Sequence, residues 1–396
     1  MSWPFTRTTF ALLFVAFALA VSGSGRAIEA QAPKPAAPGT LRVAVVGQAL
    51  IKTDLRLGAR AAVEQARRYL AGADVRFTNL EAAIAPKDAP VTPRSEAAVR
   101  TDPNVLDCLK EMGFNMLSLS NNHAWDLGAL GLRTTMDEVR KRGFSFAGTG
   151  ADADAAVAAG LLDTPAGNVA LIGMASGGGQ LTPDTWAARG QPGVNFLELR
   201  KDGTLNPEHK ARILNAVRDA ARQASYVIVY QHNHYWGEAR GSGLPPDREK
   251  RVDRFDTAPW MVEWTHQLID AGASMYVGHG DPALHGVEIY KGRPILYGLG
   301  NFIFHSPNNR ATRDVFGPLA FMSAVVHAEF EGGKVTSLRF QPIVLSLEEV
   351  AGSPRGTPYL AETGEAAAIL GRLADASRAY GTQIRITGDR AEVVFK

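Results

Sequence analysis

The 396-residue chain is predicted to adopt an α/β fold, and three observations carry that expectation. Apolar strand-like runs alternate with amphipathic helical stretches along most of the length, the pattern of a parallel sheet with crossover helices. Several of those runs end in Asn, Glu or His, the edge at which open α/β sheets bind ligands. Beyond residue 286 the helical stretches give way to consecutive strands with hairpin turns such as Glu331-Gly332-Gly333.

Taken in order, residues 1–32 read as a signal peptide. Arg7 precedes an apolar run over 10–21, short for a membrane span but the length of a signal-peptide core. Cleavage is expected after Ser22 or within residues 27–32. The protein is therefore expected in the periplasm or outside the cell, with an uncleaved N-terminal anchor as the alternative. Residues 33–40, rich in Pro and Ala, read as a flexible linker.

The expected strands are 41–46, 74–81, 114–120, 144–147, 169–175, 226–232 and 274–279, interleaved with helices over 53–70, 102–112, 131–142, 208–223 and 259–271. Antiparallel strands follow at 287–290, 294–297, 323–331 and 334–342. This gives one domain over 41–345. Residues 346–396 are appended to it as a helix (365–380) and a strand (391–395).

Charge excludes one class of partner. Lysine and arginine nearly balance the acids, leaving a net charge of +2, so no basic field marks a nucleic-acid binder. Forty glycines and 22 prolines point to many turns. Cys108 is the single cysteine, so no intrachain disulfide can form, and its helical context reads as a small buried hydrophobe.

The densest chemistry is Asn121-Asn122-His123-Ala124-Trp125-Asp126, delivered by the strand over 114–120. Amide oxygen and imidazole nitrogen both ligate hard or borderline metal ions, and a free imidazole moves protons. Helix capping is the bland alternative, but capping needs one such residue and not four. Other strand ends carry similar groups: Gln48, Asn79 with Glu81, His232 with His234, and His279. Strand ends on one edge converge in space, so these form a candidate site. His266 reads as a helix-surface residue and His305 as a candidate cleft lining. Trp125, Tyr235 and Trp236 flank the motifs as core or as aromatic walls suited to sugar rings or an amide-rich polymer.

The order Asn79-Leu80-Glu81, Asn121-Asn122-His123, His232-Asn233-His234 with Trp236, Gly278-His279-Gly280, and then the tract from Gly286 to Phe302 resembles the CapA family. That family is associated with poly-γ-glutamate and other bacterial capsule or exopolymer synthesis. The resemblance implies a metallophosphatase-like four-layer α/β/β/α sandwich of the calcineurin-like type. It also implies a divalent metal (Mn, Zn, Fe or Mg undistinguished) held by Glu81, Asn122, His232 or His234, and His279. His123 would be the general acid, oriented by Asp126. Asn79, Asn121, Trp236, Glu288 and Asn301 would be substrate-side or supporting residues.

Two departures matter. Family members commonly carry Asp where this chain has Gln48, and often a second His where it has Pro282. Both would serve one position of a two-metal centre, so one metal rather than two is expected, with His285 or Asp281 the residues that could compensate. The expected function is a metal-dependent hydrolase acting on an ester, phosphoester or amide of a cell-surface polymer. The alternative is a non-catalytic polymer-binding assembly or export factor. The expected partners are an anionic or glycan cell-surface polymer and a membrane-bound polymer-synthesis complex. The basic loop over 237–256, with Arg240, Arg248, Lys250, Arg251 and Arg254, reads as a solvated loop or as a lid attracting such a polymer.

Overall fold

Alternating burial builds the first strand: β1 (Leu41–Val45) turns Leu41, Val43 and Val45 to one face and Ala44 to the other. The computed structural model describes residues 39–85, 99–177, 180–235, 257–306, 317–349 and 353–395. The signal-peptide segment, most of the linker, Trp236 and the basic loop lie outside the described residues.

After β1 come β2 (Gln48–Leu50), a 3-10 turn (Leu55–Leu57), α1 (Arg60–Leu70), β3 (Val75–Asn79), β4 (Ala83–Ile84) and β5 (Arg100–Thr101). Next are α2 (Asn104–Met112), β6 (Met116–Ser118), α3 (Gly128–Lys141), β7 (Ser145–Ala147), β8 (Thr149–Gly150) and α4 (Ala153–Val157). The middle holds β9 (Gly160–Thr164), β10 (Gly167–Ser176), β11 (Gly193–Val194), α5 (Pro207–Gln223), β12 (Tyr226–Asn233), α6 (Pro259–Asp270) and β13 (Met275–His279). The rest is mostly strand: β14 (Val287–Tyr290), β15 (Arg293–Leu296), β16 (Asn301–Phe304), β17 (Met322–Glu331), β18 (Lys334–Leu345) and β19 (Pro358–Leu360). The chain ends with α7 (Thr363–Arg378), β20 (Ile384–Thr387) and β21 (Arg390–Val393).

Local chemistry sets the helix ends. Asn206 accepts from the backbone N–H groups of Glu208 and His209 ahead of Pro207, starting α5. Gly113, at φ 107°, ends α2.

Two sheets face each other. The larger runs β20-β21-β18-β17-β1-β3-β6-β7, with β19 on β18; the smaller runs β14-β15-β13-β12-β10-β9. In the large sheet β1, β3, β6 and β7 are parallel, and β17, β18, β21 and β20 continue it antiparallel. In the small sheet β10, β12, β13 and β15 are parallel.

Between the sheets lies an apolar layer in which Val45, Phe77 and Met116 meet Leu171, Ile228 and Val277. The Phe77 and Tyr230 rings touch across it with centroids 5.4 Å apart. Outside the large sheet, Ala44 and Leu117 pack with Val63, Leu106, Leu132 and Met136 of α1, α2 and α3. Outside the small sheet, Ile172, Val229 and Tyr276 pack with Ile213, Val217, Trp264 and Leu268 of α5 and α6. The architecture is the four-layer α/β/β/α sandwich.

Several element boundaries differ from the sequence reading. The helix expected over 53–70 is split, because Asp54 caps a 3-10 turn that stops at Gly58 before α1 begins at Arg60. Gln48 does not terminate β1. It opens β2, which pairs in parallel with β16. β15 is antiparallel to β14 but parallel to β13, so it is a true member of the small sheet and not only half of a hairpin. The C-terminal segment extends the large sheet through β21 on β18, while Ile369, Leu370 and Leu373 of α7 enter the layer between the sheets. No described helix is long and apolar enough to cross a membrane.

Candidate functional site

Strand periodicity places the histidines. On β12 the side chains of Tyr230 and His232 point to the inter-sheet side, and the two-residue spacing carries His234 to the same side just past the strand. The other face of β12 is locked behind it. Gln231 Nε2 donates to Ser176 Oγ at 2.7 Å, and Gln231 Oε1 accepts from Trp264 Nε1 and the Tyr276 hydroxyl, each at 3.1 Å. His279 sits opposite His232 in the parallel register of β12 and β13, its ring set against Tyr230 at 5.2 Å.

The turn after β6 is held by Asn121. Its Nδ2 donates to the Leu80 carbonyl at 2.7 Å and to Asn79 Oδ1 at 3.1 Å, while its Oδ1 accepts from the His123 N–H at 3.0 Å. Asn79 and Asn121 therefore shape the turn. Asn122 Nδ2 donates to Gln180 Oε1 at 3.4 Å, which aims the Asn122 carbonyl oxygen across to the small sheet.

There Asn122 Oδ1 lies 2.7 Å from His232 Nε2, and His234 Nε2 lies 3.0 Å from the same nitrogen. Glu81 Oε1 stands 3.8 Å from His232 Nε2 and 3.9 Å from His123 Nε2. His123 Nδ1 bonds Asp126 Oδ2 at 2.8 Å, and Asp126 also accepts from the Val99 N–H at 2.6 Å. With Nδ1 bound in this way, Nε2 is the nitrogen that His123 presents toward Glu81.

Electrostatics follow from burial. Burial keeps His232 neutral well below the ordinary histidine range, reinforced by His234, His279 and His123. It lowers His279 to about 3. It raises Glu81 to about 7, opposed by His123 and assisted by Asp126. Burial also disfavours the charged His123, but the hydrogen bond and charge of Asp126, together with Glu81, outweigh it and leave His123 raised.

Four electron-pair donors thus face one small space: Asn122 Oδ1, His232 Nε2, His234 Nε2 and Glu81 Oε1. Separations near 3 Å are those between neighbouring ligands of a first-row divalent ion, given bond lengths of about 2.0–2.2 Å. Among the described residues, no group of three or more His, Cys, Asp or Glu side chains is arranged to hold a metal by itself; here the third close donor is the Asn122 amide. The buried His279 ring meets the Val46 backbone, while Glu81 Oε2 is buried without a hydrogen bond of good geometry. Buried polar atoms in that state are costly and call for a partner. The donor set therefore fits a divalent cation, with His279 beside it.

Other expected residues have different places. Gln48 is spent structurally: its Nε2 donates to Asn301 Oδ1 at 3.0 Å, and its Oε1 accepts from the Gly280 N–H at 3.1 Å. Asn301 in turn donates to the Ala320 carbonyl. Glu288 is not at the cluster. It lies on the outer face of the small sheet, bonded to His266 at 2.8 Å and to the Tyr297 hydroxyl at 2.6 Å, because the β14–β15 register sets it opposite Ile295 of the helix-side core. Asp281 and His285 are buried beyond β13.

Sequence reasoning missed Lys52, whose half-buried ammonium is lowered by burial and feels the charge of Asp126. Its backbone N–H donates to His305 Nδ1 at 3.2 Å. It also missed Gln180, which aims Asn122. A lone Lys after an apolar run and a Gln beside a glycine run carry no periodic signal. The signal that existed was proximity to strand ends.

Residues 24–306 match the family described as "Bacterial capsule synthesis protein PGA_cap". The chain belongs to that family. An uncharacterized protein of Sinorhizobium fredii is 29% identical over 433 residues, covering 86% of this chain and 90% of its own. The PGA biosynthesis protein CapA of Bacillus subtilis is 27% identical over 220 residues, covering 55% of this chain and 50% of its own. A solved structure titled as a novel phosphatase from Mycoplasma pneumoniae overlays with a TM-score of 0.44 at 12% identity, covering 78% of this chain and 94% of its own.

Proposed function

We propose that this family member is an exported, metal-dependent hydrolase acting on a bond of a poly-γ-glutamate-like or other capsular polymer, with one divalent ion rather than two. The observation that carries the reading is the convergence of Asn122 Oδ1, His232 Nε2 and His234 Nε2 within 2.7–3.0 Å, with Glu81 beside them.

Glu81, Asn122, His232 and His234 would hold the ion. When bound it supplies a Lewis acid that polarises the scissile bond and acidifies water. The chain's own residues do the remaining work. Asp126 fixes the His123 ring through Nδ1, and His123, raised above its ordinary pKa, carries a proton on Nε2 for delivery to the leaving group. Burial of Glu81 and His232 keeps bulk water from the reacting groups.

One observation favours the second reading, a non-catalytic polymer-binding assembly or export factor working with a membrane-bound synthesis complex. Gln48 is neutral and both ends of its amide are already hydrogen-bonded, so the position that the resemblance assigns to a second metal's ligand holds a structural strut.

Metal analysis of the purified protein, together with turnover of phosphoester and γ-glutamyl substrates, separates the readings. The hydrolase reading expects about one metal per chain, lost in His232→Ala and Glu81→Ala. It also expects turnover lowered by about 10²–10⁴ in His123→Ala. Full metal retention in both ligand variants sinks it. Metal binding without turnover, and with His123→Ala fully active in polymer assembly, supports the factor.

A further inference from the structure

The outer face of the large sheet is only partly covered by helices. Where α1 ends, it leaves a groove of about 640 Å³ lined by Arg68, Arg339, Arg385 and Arg390. A second hollow of about 380 Å³ shares Ala71, His327 and Arg339 with it and reaches Arg42.

Register makes these side chains a row. Arg385 lies opposite Glu392, Glu392 opposite Arg339, and Arg339 opposite His327, on the consecutive strands β20, β21, β18 and β17. On β1 the residue opposite His327 is Ala44, and Arg42 stands two positions along the strand, opposite Glu329, beside the row and not in it. Three inter-strand gaps of about 4.8 Å make the row from Arg385 to His327 about 14 Å long, the reach of roughly four extended residues.

A solvated antiparallel face ordinarily mixes charges and residue types. Here every lysine or arginine lining the two hollows is an arginine. Both lining carboxylates are already engaged: Glu329 with Arg339 at 2.9 Å, and Glu392 with Arg385. Arg42 and Arg68 add to these, as does Arg390, whose nearest acid is Asp389 in the hairpin turn at 3.9 Å. Arg339 and Arg390 also bear on His327, which burial and their charges hold in its neutral form.

The guanidinium fork binds planar oxyanions in bidentate fashion, as an ammonium does not. The anions these forks already hold are carboxylates at cross-strand spacing. We propose that this groove is a second binding site that grips an extended polycarboxylate chain, whose carboxylates take the places of Glu329 and Glu392 and engage the remaining arginines. The site lies at the opposite end of β1 from Gln48 and the strand-end cluster, so it would retain a polymer rather than cut it. Only the choice of carboxylate over phosphate rests on the function proposed above.

The test is fluorescence anisotropy with a labelled poly-glutamate of about twenty residues, against poly-glutamine of equal length and against polyphosphate, on the full chain. Binding is expected for poly-glutamate and not for poly-glutamine, and it should weaken as salt rises. The exposed double variant Arg68→Glu/Arg390→Glu is expected to lose at least tenfold in affinity with an unchanged thermal midpoint. His279→Ala is expected to bind like the parent, so a failure of the metal reading leaves this result standing. Equal affinity in the parent and the double variant overturns the proposal, as does tighter binding of polyphosphate than of poly-glutamate.

Discussion

Asp126 binds His123 Nδ1 and the Val99 N–H with the same carboxylate oxygen, so one side chain sets both the tautomer of the imidazole and the loop beside it. Asp126→Asn keeps the shape and removes the charge. The His123 pKa is expected to fall, as read by NMR titration, and any turnover to drop by about 10–100-fold while metal content holds. His305 offers a pH test away from the cluster. Burial, with Lys52 beside it, lowers its folded pKa to about 4 from the ordinary 6.5. The neutral form is the one the fold favours, so its contribution is complete above pH 6.5 and is lost as pH falls from 6.5 toward 4. At about 1.4 kcal/mol per unit, urea unfolding at pH 7 and pH 4.5 should show the parent losing about 2–3 kcal/mol more than His305→Gln. Equal losses would remove the assignment.

At the scale of elements, the ends of β12 and β13 are held together by a glycine. Gly280 adopts φ 112°, and a Cβ there would sit 2.0 Å from the Asn233 carbonyl oxygen. Its N–H also donates to Gln48 Oε1. Gly280→Ala therefore forces His279 away from His232 and adds backbone strain. A destabilisation of about 2–4 kcal/mol is expected in chemical denaturation. Gln48→Ala removes two buried hydrogen bonds and strands Asn301 and Gly280. It is expected to cost about 1–3 kcal/mol in the same measurement, with metal content unchanged because Gln48 is no ligand in this arrangement.

Across the whole molecule, the C-terminal hairpin shares the core of the two-sheet sandwich. Ala391 and Val393 lie in the layer between the sheets with Phe340 and Ile369. Deleting residues 383–396 uncovers that layer and one edge of β18. The truncated chain is expected to lose its cooperative unfolding transition in circular dichroism, not to unfold at one end. A truncated chain with the parent's midpoint would show instead that the hairpin is dispensable. The arginine row depends on the same hairpin, since Arg385 and Arg390 come from it, so poly-glutamate binding should vanish with it.

The sequence by itself determined the layers and named most of the residues that meet in the strand-end cluster. Period-two burial and the two-residue spacing of His232 and His234 are local properties of a pleated strand, and Glu81 and Asn122 follow directly from strands that are themselves legible. The tertiary structure decided which of those residues meet. Asn122 and His232 are 110 positions apart in the chain, and only the packing of the two sheets sets them 2.7 Å from each other. It also decided that Gln48 is a strut, that Glu288 faces α6, that Lys52 stands near Asp126, and that arginines from five separate segments line one face. The reason is physical. Hydrogen-bonded periodicity is written over a few neighbouring residues, whereas strand order and face-to-face packing arise from contacts that the chain makes only once its apolar surfaces are buried together.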